Sequence, residues 1–117
     1  MPVMPIAVVQ PADEAVDPAA VTSRAKARAL AMRGRLVQTW LVPREFGGPS
    51  DRVNELFVPP DAARRIEVFI ARLLVEIRTK RRRTMDVHPD YRGNSIVPAS
   101  ITYIIDPGHE QVTIPIW

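Results

Sequence analysis

The chain contains no cysteine and only two histidines, His88 and His109. The first lack excludes disulfides and thiolate chemistry. The second excludes a site built from several imidazoles. No apolar run approaches the roughly 20 residues a membrane helix needs, so no membrane partner is expected. The opening segment Met1–Val9 has no basic n-region, and Pro2 and Pro5 interrupt its apolar residues. A secretory signal is therefore not read there, and the expected location is cytoplasmic, or outside the cell by a specialised secretion route. The carboxylates Asp13, Glu14, Asp17, Glu45, Asp51, Glu55 and Asp61 are scattered over loops and caps. They form no acid pair at a fixed spacing. There is likewise no nucleophile-elbow serine and no metal-ligand spacing.

What the chain has is enough apolar material for one core, 46% of 117 residues, and an unusual 12 prolines. Proline fixes φ and removes a donor, so many turns and few long regular elements follow. The formal net charge of +3 suits nucleic acid or an acidic protein without demanding either. Residues 1–16 are proline-rich and aperiodic, which reads as an extended arm with one strand at Ile6–Val9, ahead of a single domain over 17–117.

Asp17-Pro18 is a helix start and Gly34 a stop. Between them Val21, Ala25, Ala29 and Met32 are expected on the apolar face, with Arg24, Lys26, Arg28, Arg33 and Arg35 over much of the rest. That basic surface is either solvated or a polyanion contact. Leu36–Val42 reads as a strand, and residues 43–60 as a long loop of the kind that often carries function. With Asp61 as cap, Ile66, Phe69, Ile70, Leu73, Leu74 and Ile77 then follow the i, i+3, i+4, i+7 pattern of a helix with one buried face. Its cationic end, Arg78 to Arg83, suits the negative helix C-terminus. Beyond it Thr84–His88, Ala99–Ile105 and Gln111–Trp117 read as strands, with turns at Arg92-Gly93-Asn94 and Asp106-Pro107-Gly108-His109. The fold expected is α+β: an N-terminal helix, a strand and loop, and a long central amphipathic helix packed on a small C-terminal antiparallel sheet.

Three stretches share an order with a known family. They are Trp40-Leu-Val-Pro-Arg-Glu-Phe-Gly-Gly-Pro-Ser50 with Asn54 and Val58-Pro59-Pro60, then Met85-Asp-Val-His-Pro-Asp-Tyr91, then Val97-Pro-Ala-Ser-Ile-Thr-Tyr103. Over residues 36–106 the chain resembles the DNA/RNA non-specific endonucleases, in the branch found as toxin domains of bacterial polymorphic toxins. The resemblance implies a trimmed ββα-metal nuclease fold, with Gly47, Gly48 and Asn54 at family-motif positions. It also implies a role in interbacterial competition. The family's general-base histidine falls on Trp40, and its Arg-Gly on Gln38-Thr39. The helix region that supplies the family's metal-binding asparagine reads Ala62-Ala63-Arg64-Arg65. An indole has no basic lone pair, and two arginines repel a cation.

Each singled-out residue has a plain reading and a sharp one. Trp40 is a core aromatic or a stacking platform. His88 is an ordinary strand residue or a relocated general base, and His109 a turn residue. Gly47-Gly48 is a turn needing positive φ or a backbone cradle for phosphate. Arg81, Arg82 and Arg83 are a solvated helix end, or contacts to phosphate or an acidic partner together with Arg64, Arg65, Arg72, Arg78 and Lys80. Three functions are expected from these features. The first is a non-catalytic nuclease-like domain that binds nucleic acid or a partner protein through Trp40, Arg44, Arg64, Arg65 and Arg81–Arg83. The second is an active DNA/RNA endonuclease toxin with His88 as base and Mg²⁺ as cofactor; the other two readings need no cofactor. The third is a protein-interaction module whose partner is a cognate protein such as an immunity protein.

Overall fold

The computed structural model describes residues 16–79, 84–106 and 110–117. The expected strand at Ile6–Val9, Lys80, the run Arg81–Arg83 and His109 lie outside the described residues. The chain enters on a single 3-10 turn, Pro18–Ala20, whose cap Asp17 accepts the Ala19 N–H at 3.1 Å. The Asp-Pro start signal is thus used, but the helix does not continue from it. Val21 turns extended and is buried, and its carbonyl accepts the Ile96 N–H at 2.9 Å.

The first helix, α1, covers Arg24–Met32 and begins where the Ser23 side chain accepts the Lys26 N–H. It ends at Gly34, whose φ of +76° lets the Gly34 and Arg35 N–H groups turn back to the carbonyls of Ala31 and Leu30. The later start corrects the expected apolar face. Ala27 is buried with Leu30 and Ala31 packed beside it, whereas Ala25, Ala29 and Met32 face solvent. Alanine suits either face, so an alanine-rich helix carries little periodic signal.

Strand β1, Val37–Trp40, pairs antiparallel with β2, Glu55–Val58, from Val37 opposite Val58 to Trp40 opposite Glu55. The segment expected to be loop throughout 43–60 therefore supplies a strand. Leu56, Phe57 and Val58 are all buried, so no alternation marks it. Helix α2, Pro60–Thr79, follows at once with Pro60 in its first position. Asp61 sits inside the first turn, where its charge favours the helix dipole, rather than capping from outside.

Strands β3 (Thr84–Asp90), β4 (Ser100–Asp106) and β5 (Glu110–Pro115) form an antiparallel sheet with β4 in the middle. Alternation is clean on β4, where Ile101, Tyr103 and Ile105 are buried. Pro89 is tolerated because β3 is an edge strand, and Pro115 because it ends one. Ala62, Ile66, Ile70 and Leu73 of α2 are buried, and Phe69 meets Tyr103 of β4 with ring centroids 4.7 Å apart. The result is the expected α+β arrangement, a central helix packed on the C-terminal sheet. Among the described residues, no helix is long and apolar enough to cross a membrane.

Tyr103 gives this core a pH limit. Burial pushes its hydroxyl up from 10.0 to about 12. The unfolded chain loses this proton first, so the contribution to stability is complete below pH 10.0 and is lost as pH rises through about 12. At 1.4 kcal/mol per unit the loss is about 2–3 kcal/mol. Urea titrations across that window should therefore show wild type losing about 2–3 kcal/mol relative to Tyr103→Phe as pH rises. Parallel curves would show that the hydroxyl ionises normally in the folded protein.

Candidate binding site

Trp40 ends β1 beside the start of a loop that doubles back on the strand. Two 3-10 turns, Arg44–Phe46 and Arg52–Asn54, shape this loop. Asn54 holds it closed. Its Oδ1 accepts the Val42 N–H at 2.7 Å, and its Nδ2 donates to the carbonyls of Val42 at 2.9 Å and Pro49 at 2.8 Å. The Leu41 N–H reaches the Asn54 carbonyl at 2.8 Å and extends the β1–β2 pairing. Gly47 has φ +86°, and Gly48 is buried against the Val42 carbonyl. Both glycine N–H groups are used inside the loop, on Arg44 and Pro43 carbonyls. The pair therefore serves as the expected turn and as a close approach, and these two N–H groups are not free for the alternative, a phosphate cradle.

This loop and β1 face one shoulder of α2 across a groove of about 230 Å³. Ile66, Ile70 and Leu74 make its floor, Trp40 and Pro43 its far wall, and Arg44, Glu45 and Glu67 its charged rim. Trp40 is half-buried, and the Arg44 guanidinium lies over its ring at 6.0 Å from the centroid. A cation at this distance is weakly attracted by the indole face and restrains its orientation. The groove is thus a small apolar slot with charges of both signs at its lip. No family model, curated protein or solved structure matches this chain.

The other residues singled out in the sequence do not gather around Trp40. Arg65 is a tie across the fold: it donates to the Pro115 carbonyl at 2.6 Å and lies 3.8 Å from the Asp61 carboxylate. Arg64 is exposed on the outer side of α2, in a shallow depression with Asp61, Arg65 and Val68. His88 is exposed on β3 opposite Thr102, on the sheet face that turns away from α2. The sheet therefore stands between His88 and the groove, and the two do not form one constellation. Among the described residues, no three His, Asp or Glu side chains converge as a metal-binding group. The Asn54 amide, at a family-motif position, is spent on the loop.

Sequence reasoning missed a well-connected charged group, Glu55. Its Oε1 pairs with the Arg24 guanidinium and, at 3.3 Å, with Arg28; its Oε2 accepts from Gln38 at 2.9 Å. Arg24 also donates to the Arg52 carbonyl at 2.8 Å. These bonds clamp α1 onto β2 and engage two of the arginines expected as polyanion contacts. Beside the clamp, Tyr91 has its hydroxyl pKa raised by burial and partly lowered again by Arg24. No local pattern announces such a cluster, since Glu55 finds its partners 17 to 31 residues away.

Proposed function

We propose that this chain is a non-catalytic binding domain that holds a partner protein through an apolar side chain seated beside Trp40. The observation that carries the reading is the groove itself: an apolar floor, an indole wall and a rim of mixed charge. Mixed charge suits a protein surface better than a polyanion, and a buried aromatic ringed by polar groups is the usual form of a binding hot spot. The β1–β2 pair leading directly into α2 supports that reading, and on the sequence resemblance Trp40 takes the position of the ββα nucleases' base. On that resemblance we further propose a nuclease-like pseudoenzyme of a bacterial toxin system, whose partner is of the immunity-protein kind.

Two measurements test the reading. Labelled DNA and RNA incubated with the chain should stay intact with and without Mg²⁺, and metal-dependent cleavage would overturn it in favour of an endonuclease with His88 as the first base to probe. A photo-crosslinking residue in place of Glu67, on the rim, should give one defined protein adduct in lysate of the source cells. Trp40→Ala should weaken binding to that protein at least about 30-fold, the effect of a hot-spot residue near 2 kcal/mol. Undiminished binding would remove Trp40 from the contact.

A further inference from the structure

A second cleft, of about 250 Å³, lies where α1, β2 and the connection between β3 and β4 meet. Arg24, Glu55, Phe57, Tyr91, Ser95 and Ile96 line it, and none of them lines the Trp40 groove. Pockets for drug-sized ligands start at about 300 Å³, so this one suits a smaller molecule. Its polar groups are not equally available. The Ser95 hydroxyl is spent, donating to the Pro18 carbonyl at 2.6 Å and accepting the Val97 N–H at 3.0 Å. Both oxygens of Glu55 are engaged, Oε1 by Arg24 and Arg28 and Oε2 by Gln38. One carboxylate is thus set against two guanidiniums, and the cluster keeps a surplus positive charge. Arg24 spends one N–H on Glu55 and one on the Arg52 carbonyl. An arginine has five such donors, so most of them remain. Among the described residues, the Tyr91 hydroxyl has no hydrogen-bond partner. Burial raises its pKa and the Arg24 charge lowers it in part, so that cation is felt at the hydroxyl.

We infer that this cleft binds a small monocarboxylate with a short apolar tail. The carboxylate sits between the Arg24 guanidinium and the Tyr91 hydroxyl, and the tail lies against Phe57 and Ile96. A planar guanidinium matches a carboxylate in shape as well as charge, and a phenol adds a second donor. A cationic ligand would meet Arg24 and find the Glu55 oxygens already taken. A phosphate dianion would bring two charges to a single surplus one. A neutral ligand would leave that surplus unanswered. The same chemistry is carried by a free organic acid and by the C-terminal residue of a peptide. The inference is independent of the Trp40 groove, because the two sites share no lining residue.

The test titrates the whole isotope-labelled chain by NMR with phenylacetate. Phenylacetamide, phenyl phosphate and a short peptide ending in phenylalanine are the comparisons. Phenylacetate should bind at least about tenfold more tightly than phenylacetamide, the difference a charge-assisted hydrogen bond makes. It should move the backbone signals of Arg24, Tyr91 and Ser95 and leave those of Trp40 and Ile70 in place. Tyr91→Phe should weaken phenylacetate about tenfold, the worth of one hydrogen bond to a charged acceptor, and leave phenylacetamide as it was. The hydroxyl has no partner within the described chain. An unchanged Tm in Tyr91→Phe then separates lost binding from lost folding. Absence of phenylacetate binding, equal binding of the neutral compound, signals that move at the Trp40 groove, or full affinity in Tyr91→Phe each overturns the inference. Tighter binding of phenyl phosphate overturns it too, in favour of a phosphoryl site. With the carboxylate preference upheld, tighter binding of the peptide than of phenylacetate identifies a chain terminus as the source, and the reverse order a free acid.

Discussion

Gly48→Ala should destabilise the protein by about 4 kcal/mol, a large share of the stability of a small domain. A β-carbon at this position would run into the Val42 carbonyl, coming within 2.7 Å of its carbon and 2.9 Å of Asn54 Nδ2. The obstacle is backbone held in the β1–β2 connection, so it cannot swing aside as a flexible side chain would. Gly47 is the internal control. Its φ is +86° but the space around it is open, so Gly47→Ala costs only the conformational penalty of about 1–2 kcal/mol. Urea unfolding of the two variants should place Gly48→Ala at much the lower midpoint with an unchanged slope. Equal midpoints would mean that the loop can open around Gly48 without loss.

Asn54→Ala should cost about 3–4 kcal/mol. The side chain is 4% exposed and makes three hydrogen bonds, one accepted from Val42 N–H and two donated to the Val42 and Pro49 carbonyls. Each is worth about 1 kcal/mol net, and stranding the buried partners adds a desolvation penalty. Asn54→Asp separates these contributions. It keeps the acceptor for Val42 N–H but sets a carboxylate against two carbonyl oxygens, so it should be no better than alanine. Because a β-carbon on Gly48 would press on this same amide, the Gly48 and Asn54 substitutions should be less than additive. Thermal denaturation of the single and double variants measures the coupling, and strict additivity would show the two residues to act independently.

The parts of the fold legible in the sequence were those with a strong period. Ile66, Ile70 and Leu73 mark α2 because large apolar residues recur on one face, and Ile101, Tyr103 and Ile105 mark β4 by alternation. Strand β2 was illegible because its buried run is only Leu56-Phe57-Val58, closed off by Pro59-Pro60. The extent and face of α1 were misread because Asp17-Pro18 is a valid start signal and Val21 an inviting core residue. Only the competing cap at Ser23 and the pull of Ile96 on the Val21 carbonyl decide against continuing that helix. At the site, Trp40 and Arg44 could be singled out from the sequence, and the structure brings them together. Arg64, Arg65 and His88 could be singled out too, but sequence says nothing of which side of a layer each one faces. Glu55 lay in an expected loop and offered no signal at all.

The segment around Ser95 to Val97 joins distant parts of the chain. The Ser95 hydroxyl donates to the Pro18 carbonyl, 77 residues earlier, while the Val97 carbonyl accepts the Trp117 indole N–H at 3.0 Å. Ile116 N–H reaches back to Ala99 in the same neighbourhood. During synthesis, then, α1 and the β1–β2 pair emerge from the ribosome well before the pieces that seal them. Their apolar surfaces must wait until residues up to Trp117 have cleared the exit tunnel. These surfaces stay uncovered for the interval between release of α2 and release of β5, and chaperone demand should follow the length of that interval.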